Sequence, residues 1–180
     1  MATIITVFES TKVPEMFMVP RAISTDKTPA FFECRSNQVF FVDKDGLDEQ
    51  VTKLMASANV SKSGDLSELI RLVAEQNVGN KFYKVIPSYL LTGVVAVEPR
   101  PEVAGVTIEE LKTPNNQFLA FLRKVNPSDQ YLVFLVRDDS FDVFRDARKL
   151  ADRVGYDVGW ELLGIDEPIK FGEGVKVRPQ

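Results

Sequence analysis

The sequence contains no histidine. That absence removes Ser-His and Cys-His nucleophilic pairs, histidine-bearing zinc sites and the commonest general base near neutral pH. A single cysteine, Cys34, excludes an intramolecular disulfide and a cysteine-rich metal centre. Positive charge is also short: 22 Lys and Arg stand against 26 Asp and Glu, for a net charge of −4, and no basic run exists to hold a phosphate backbone. No apolar run approaches the length a bilayer requires. The start, Met1-Ala-Thr-Ile-Ile-Thr-Val-Phe-Glu9, lacks the basic stretch and small-residue cleavage site of a signal peptide. These absences predict a chain that stays in the cytoplasm, with no nucleic acid and no direct membrane insertion among its contacts.

What is present is an ordinary globular composition. With 180 residues, 44% hydrophobic and 27% charged, the chain is long enough to bury a core without disulfides or metals. A single domain over 1–180 is expected, with no internal repeat. The glycines form no phosphate loop or dinucleotide fingerprint: Gly155 and Gly159 do not lead from a strand into a helix, and Gly172 and Gly174 follow the last expected element. Asp43-Lys-Asp45-Gly46 begins like a calcium loop, but the required ligand spacing ends there.

Residues Thr3 to Phe8 are β-branched and apolar and predict a short strand, followed by a proline-bearing connection through Pro14, Pro20 and Pro29. Two apolar runs, Ala30 to Arg35 and Gln38 to Asp43, flank Ser36-Asn37 and predict a β-hairpin. A two-residue loop sorts their side chains. Phe32, Cys34, Val39 and Phe41 share an apolar face; Phe31, Glu33, Arg35, Gln38, Phe40 and Val42 share a mixed one that should be half covered. Helical spacing follows at Leu47, Val51, Leu54, Met55 and Ala58. Lys62-Ser63-Gly64 separates this from a second helix, with Asp65 and Glu68 as a capping pair before Leu66, Leu69, Ile70 and Val73. Val94 to Val97 predicts a strand, and Pro87 makes Phe82 to Leu91 an edge strand or loop. Thr107 to Val125 predicts two helical pieces meeting at Pro114.

The best-defined unit runs from Tyr131 to Leu163. Tyr131-Leu-Val-Phe-Leu-Val136 is apolar without alternation, so both of its faces should be buried. Arg137-Asp-Asp-Ser140 starts a helix with an apolar stripe at Val143, Phe144, Ala147, Leu150, Ala151 and Val154, which Gly155 stops. Asp157 to Leu163 is the returning strand of a βαβ unit. The fold class is α/β, with α+β as the alternative: one mixed sheet with the hairpin, the βαβ unit and helices packed on it.

Three places could carry chemistry. Arg137, Asp138, Asp139 and Asp142 cluster where a buried strand meets a helix, the end at which open α/β sheets bind ligands. Carboxylates there could hold Mg²⁺ for phosphoryl transfer; the simpler account has Asp and Ser capping the helix. Glu33, flanked by Phe31, Phe32 and Phe40, could act as a general acid or base or join Asp138 and Asp139 at a metal, yet an ion pair with Arg35 explains it as well. Cys34 lies on the apolar face without a thiolate-stabilising histidine, so it is expected to be an inert core residue. Trp160 alternates with Val158 and Leu162 and is likewise expected in the core.

Two stretches, Phe31 to Leu54 and Phe118 to Leu163, resemble the soluble domain of the ExbD/TolR family of proton-channel accessory subunits. The shared pattern is a hairpin and helix, then a helix, an Asn-Pro turn, an apolar strand ending in Arg-Asp, an amphipathic helix, a Gly-aromatic turn and a last strand. Phe32-Glu-Cys-Arg35 and Tyr131-Leu-Val-Phe-Leu-Val-Arg137 also resemble a set of uncharacterised bacterial proteins of this layout. The chain departs from the family in having no N-terminal transmembrane helix or membrane aspartate, and 59–114 looks like an insertion between core elements 30–58 and 115–163. The resemblance implies a small scaffold for protein or cell-wall contacts, with no catalytic centre and no cofactor.

Two expectations follow. The first is a non-catalytic interaction or assembly domain with a protein partner or a second copy of itself, contacting it through polar residues such as Arg35, Arg137 and Asp142. The second is a Mg²⁺-dependent phosphoryl-transfer or nuclease-like enzyme using Glu33, Asp138 and Asp139, which requires those carboxylates to converge.

Overall fold

The hairpin sets the centre of the structure. The computed structural model describes residues 26–57 and 66–171; the expected strand at Thr3–Phe8, Ala58, the Lys62-Ser63-Gly64 connection, Asp65, Gly172 and Gly174 lie outside them. Strand β1 (Thr28–Arg35) turns through Ser36-Asn37 into antiparallel β2 (Gln38–Val42), with Arg35 opposite Gln38. Ser36 and Asn37 have φ of 50° and 56°, the left-handed pair that a tight two-residue hairpin needs. Phe32 faces Phe41 and Cys34 faces Val39 across the ladder, so the two faces sort as the alternation predicts.

Strand β6 (Gln130–Arg137) lies parallel to β1, and β7 (Val158–Leu163) lies parallel to β6. Two-residue β5 (Val106–Thr107) pairs antiparallel with β2 and completes a mixed five-stranded sheet of order β5-β2-β1-β6-β7. Leu132 to Val136 are all buried, as an interior strand without alternation requires.

A second sheet was not legible in the sequence. Strands β3 (Tyr83–Val85), β4 (Val95–Pro99) and β8 (Ile169–Phe171) form an antiparallel sheet in the order β3-β4-β8. The expectation of one mixed sheet thus extends to a larger mixed sheet and a smaller one. The Pro87 region divides into edge strand β3 and a 3-10 helix at Pro87–Thr92. The second sheet lies over the mixed face of the hairpin: Phe31 meets Phe171 with ring centroids 5.3 Å apart, and Phe40 meets Phe82 at 5.8 Å. That face, expected to be half covered, is therefore largely buried, with Phe31, Glu33, Phe40 and Val42 all in the interior.

Helices α1 (Lys44–Ser57) and α2 (Ser67–Glu75) pack against each other on the side of the second sheet, where Lys44 lies over the Phe171 ring and α2 meets the 3-10 helix, and they bury Leu47, Val51, Leu69 and Val73. The opposite face of the five-stranded sheet carries the remaining helices. The two short helices expected around Pro114 are α3 (Ile108–Leu111) and α4 (Gln117–Leu122). Thr107 itself is in β5, and caps α3 through a reciprocal pair with Glu110. Phe118 of α4 meets Phe32 edge-on at 5.2 Å, and Phe144 of α5 (Phe141–Arg153) meets Phe134 at 5.5 Å and Trp160 at 5.7 Å. The α5 stripe ends at Ala151. Val154, expected on it, is exposed because the helix has already ended, and Gly155 takes the left-handed C′ conformation at φ 90°.

Candidate functional site

Four polar or charged residues are buried among those described: Glu33, Asn116, Arg137 and Ser140. Two of them meet. Glu33 sits mid-strand on β1, and parallel register places Leu135 beside it on β6, so Arg137 projects two residues further along the same face. Arg137 Nε donates to Glu33 Oε1 at 2.6 Å. Tyr83, from β3 of the covering sheet, donates its hydroxyl to Glu33 Oε2 at 2.8 Å. Arg35 Nε approaches the same oxygen at 3.4 Å while its guanidinium lies 4.4 Å over the Phe40 ring.

The remaining Arg137 nitrogens hold the chain that leads from β7 to β8. Nη1 donates to the carbonyls of Gly164 and, at 2.6 Å, Ile165, and Nη2 donates to the carbonyl of Glu167 at 3.0 Å. One guanidinium thus ties β1 to the segment that leads into the second sheet, and Tyr83 links the same carboxylate to that sheet directly. A buried carboxylate is tolerated only when its lone pairs are filled and its charge is matched, and both conditions are met here. Burial, followed by the charge of Glu33, pushes the Tyr83 phenol well above its ordinary value, so it remains a donor. Both Glu33 oxygens are occupied by donors fixed from three strands. The arrangement clamps two sheets together and leaves this carboxylate no open side for a reactant.

The other expected site residues lie elsewhere. Asp138 and Asp139 are exposed in the turn beyond β6. Asp139 Oδ1 accepts from the Ser36 amide at 3.3 Å and from the Ser140 hydroxyl at 2.7 Å. Asp142 is exposed on α5 and pairs with Arg145 one turn on. No group of three Asp, Glu or Cys residues among the described residues is placed to hold a metal ion. Glu33 and Arg137 are brought together, and Glu33 joins no carboxylate cluster with Asp138 and Asp139.

The corner does begin a helix, but its cap comes from another strand. Ser140 occupies the N-cap position without bonding an amide of its own helix. Its Oγ accepts from the Asn37 amide at 2.9 Å, and Asn37 Oδ1 accepts from the Val143 amide at 3.2 Å. The expected Asp and Ser cap is corrected to one supplied by the hairpin turn 106 residues away. The same side chain that tolerates positive φ in the turn supplies the oxygen the helix start needs.

Cys34 is fully buried, and desolvation with Glu33 beside it pushes its thiol far above the ordinary range, as an inert core sulfur would be. Trp160 is half-buried against Phe144. Sequence reasoning missed Tyr83, whose only signal was a hydroxyl-bearing side chain inside the apolar run from Phe82. It also missed Arg137 as the partner of Glu33, because strand register rather than proximity in sequence joins them. No protein-family model matches the chain, no curated protein matches it in sequence, and no solved structure matches its fold.

Proposed function

We propose that the chain is a non-catalytic interaction or assembly domain that receives a strand from a second copy or a protein partner along β7. The observation that carries this reading is the outer edge of β7. It is the longest edge strand among the described residues, paired on one side with β6 and on the other with no described strand. Its sequence, Val158-Gly-Trp-Glu-Leu-Leu163, holds no Lys or Pro of the kind that keeps strand edges from pairing. Leu162 is 61% exposed, and Ile165, just past the strand, is 58% exposed. A ladder with no described strand on its outer side, beside exposed apolar side chains, suits strand addition. The likeness to the ExbD/TolR soluble domain supports the same reading.

Phosphoryl transfer assisted by Mg²⁺ finds less support, because Glu33 is held by Arg137 and Tyr83 and stands in no cluster with Asp138 and Asp139. Sedimentation velocity across a wide range of concentration tests the assembly reading. The native chain should self-associate as concentration rises, and Leu162→Lys should remain monomeric. A native chain that stays monomeric throughout, with β7 amides exchanging alike in the native and Leu162→Lys proteins, removes β7 as an assembly edge.

A further inference from the structure

A cleft on the opposite side of the hairpin from β7 combines an aromatic floor with uncommitted positive charge. It has a volume of about 230 Å³ and lies where the end of β2, the turn before β3 and helix α4 meet. Phe41 and Phe121 stack at 5.5 Å with planes 20° apart, and Phe82 meets Phe121 edge-on at 6.0 Å. Two exposed lysines stand above this floor: Lys81 Nζ is 5.1 Å from the Phe82 ring centre and Lys124 Nζ is 5.7 Å from that of Phe121.

Lys27, Lys44, Lys53, Lys84 and Lys149 each have a carboxylate partner, whereas Lys81, Lys112, Lys124 and Lys170 have none among the described residues, and two of these four, Lys81 and Lys124, stand at this one cleft. Asp43 also lines the cleft, but its carboxylate accepts from the Gly46 amide at 3.2 Å and so serves the start of α1. Asn80 Oδ1 is likewise committed to the amides of Phe82 and Tyr83, both at 2.9 Å. Lysines over aromatic rings commonly just rest their stems on apolar surface. Here two of them converge on one concavity of a chain whose net charge is −4, and a concave aromatic wall with a few polar groups is how small-molecule sites are built.

We infer that this cleft binds a small anion with an aromatic body, its ring against Phe82 and Phe121 and its acid group between Lys81 and Lys124. The volume fits one bicyclic ring system and not an extended chain. The surface is separate from β7, so this binding stands or falls independently of assembly there.

Amide chemical-shift mapping of the full chain with indole-3-acetate as probe tests it, with acetate and the neutral indole-3-acetamide as comparisons. Indole-3-acetate should give saturable shifts confined to residues 41–43, 80–82 and 117–124. The neutral amide and the Lys81→Glu and Lys124→Glu proteins should each bind about two- to fivefold more weakly, as loss of an exposed charge contact implies. Acetate alone should not saturate. The amide comparison uses the native chain and needs no variant to fold. Failure of indole-3-acetate to saturate, equal affinity for its amide, or shifts centred elsewhere would each overturn the inference.

Discussion

Glu33 and Arg137 are 104 residues apart in sequence and 2.6 Å apart in space, both withdrawn from solvent and both on the face of the five-stranded sheet that the second sheet covers. Neither could be buried there alone. Arg137 neutralises Glu33, Tyr83 and Arg35 reach its second oxygen, and the rest of the guanidinium is satisfied by carbonyls of the β7–β8 connection. The polar centre of the molecule is therefore a junction of structure.

This junction should be costly to break from one side and cheaper to replace as a whole. Glu33→Gln or Arg137→Met alone leaves an unmatched buried group and should cost about 3–5 kcal/mol in urea unfolding. The double replacement Glu33→Leu with Arg137→Met should lose clearly less than the sum of the two single changes, the measure being the coupling energy of the cycle. Additive losses would show that the two side chains do not act as a pair.

Alkaline conditions should weaken the fold through groups held protonated in the interior. Cys34 and Tyr83 both have folded values raised above their ordinary 9.0 and 10.0. The folded chain thus retains protons that the unfolded chain releases, so stability is fully present below about pH 9 and falls as pH rises beyond it. Tyr131 and Tyr156 are shifted in the same direction and add to the decline. Tyr83→Phe should reduce the slope of unfolding free energy against pH above 10 by up to about 1.4 kcal/mol per pH unit, the value for one proton. An unchanged slope would contradict the burial of that phenol. At neutral pH, Cys34 should react with a thiol reagent only as fast as the chain opens.

The hairpin turn and α5 should prove coupled. Asn37→Gly keeps the left-handed backbone but removes the oxygen that caps Val143, and should cost about 1 kcal/mol in the urea midpoint. Asn37→Asp keeps both the oxygen and tolerance of positive φ, and should cost less. Equal losses in the two variants would assign the effect to the turn and not to the cap.

Elements with strong local patterns were legible in the sequence. Hairpin register followed from alternation around Ser36-Asn37, and β6 was marked as interior by Leu132 to Val136, buried on both faces. The Pro114 break and the Gly155 stop were visible because proline and glycine act on their own backbone. The second sheet was not, since β3 and β8 contain three residues each and a window that short has no period to detect. Its omission had a direct consequence for Glu33, whose face was expected to be half covered and is closed by Tyr83, Phe82 and Phe171.

The corner at Arg137 to Ser140 shows the same division at the scale of single residues. Charge and strand ends located it, but three consecutive residues divide two ways: Arg137 into the interior, Asp138 and Asp139 into solvent. Alternation along one strand determines which side chains share a face, and by itself this sequence determined that Glu33, Arg35 and the aromatics around them do. Which strand lies alongside, in what register and under what cover depends on pairings across a hundred residues, and only the tertiary structure decided that Glu33 would meet Arg137 and Tyr83 and that Asn37 would cap a distant helix.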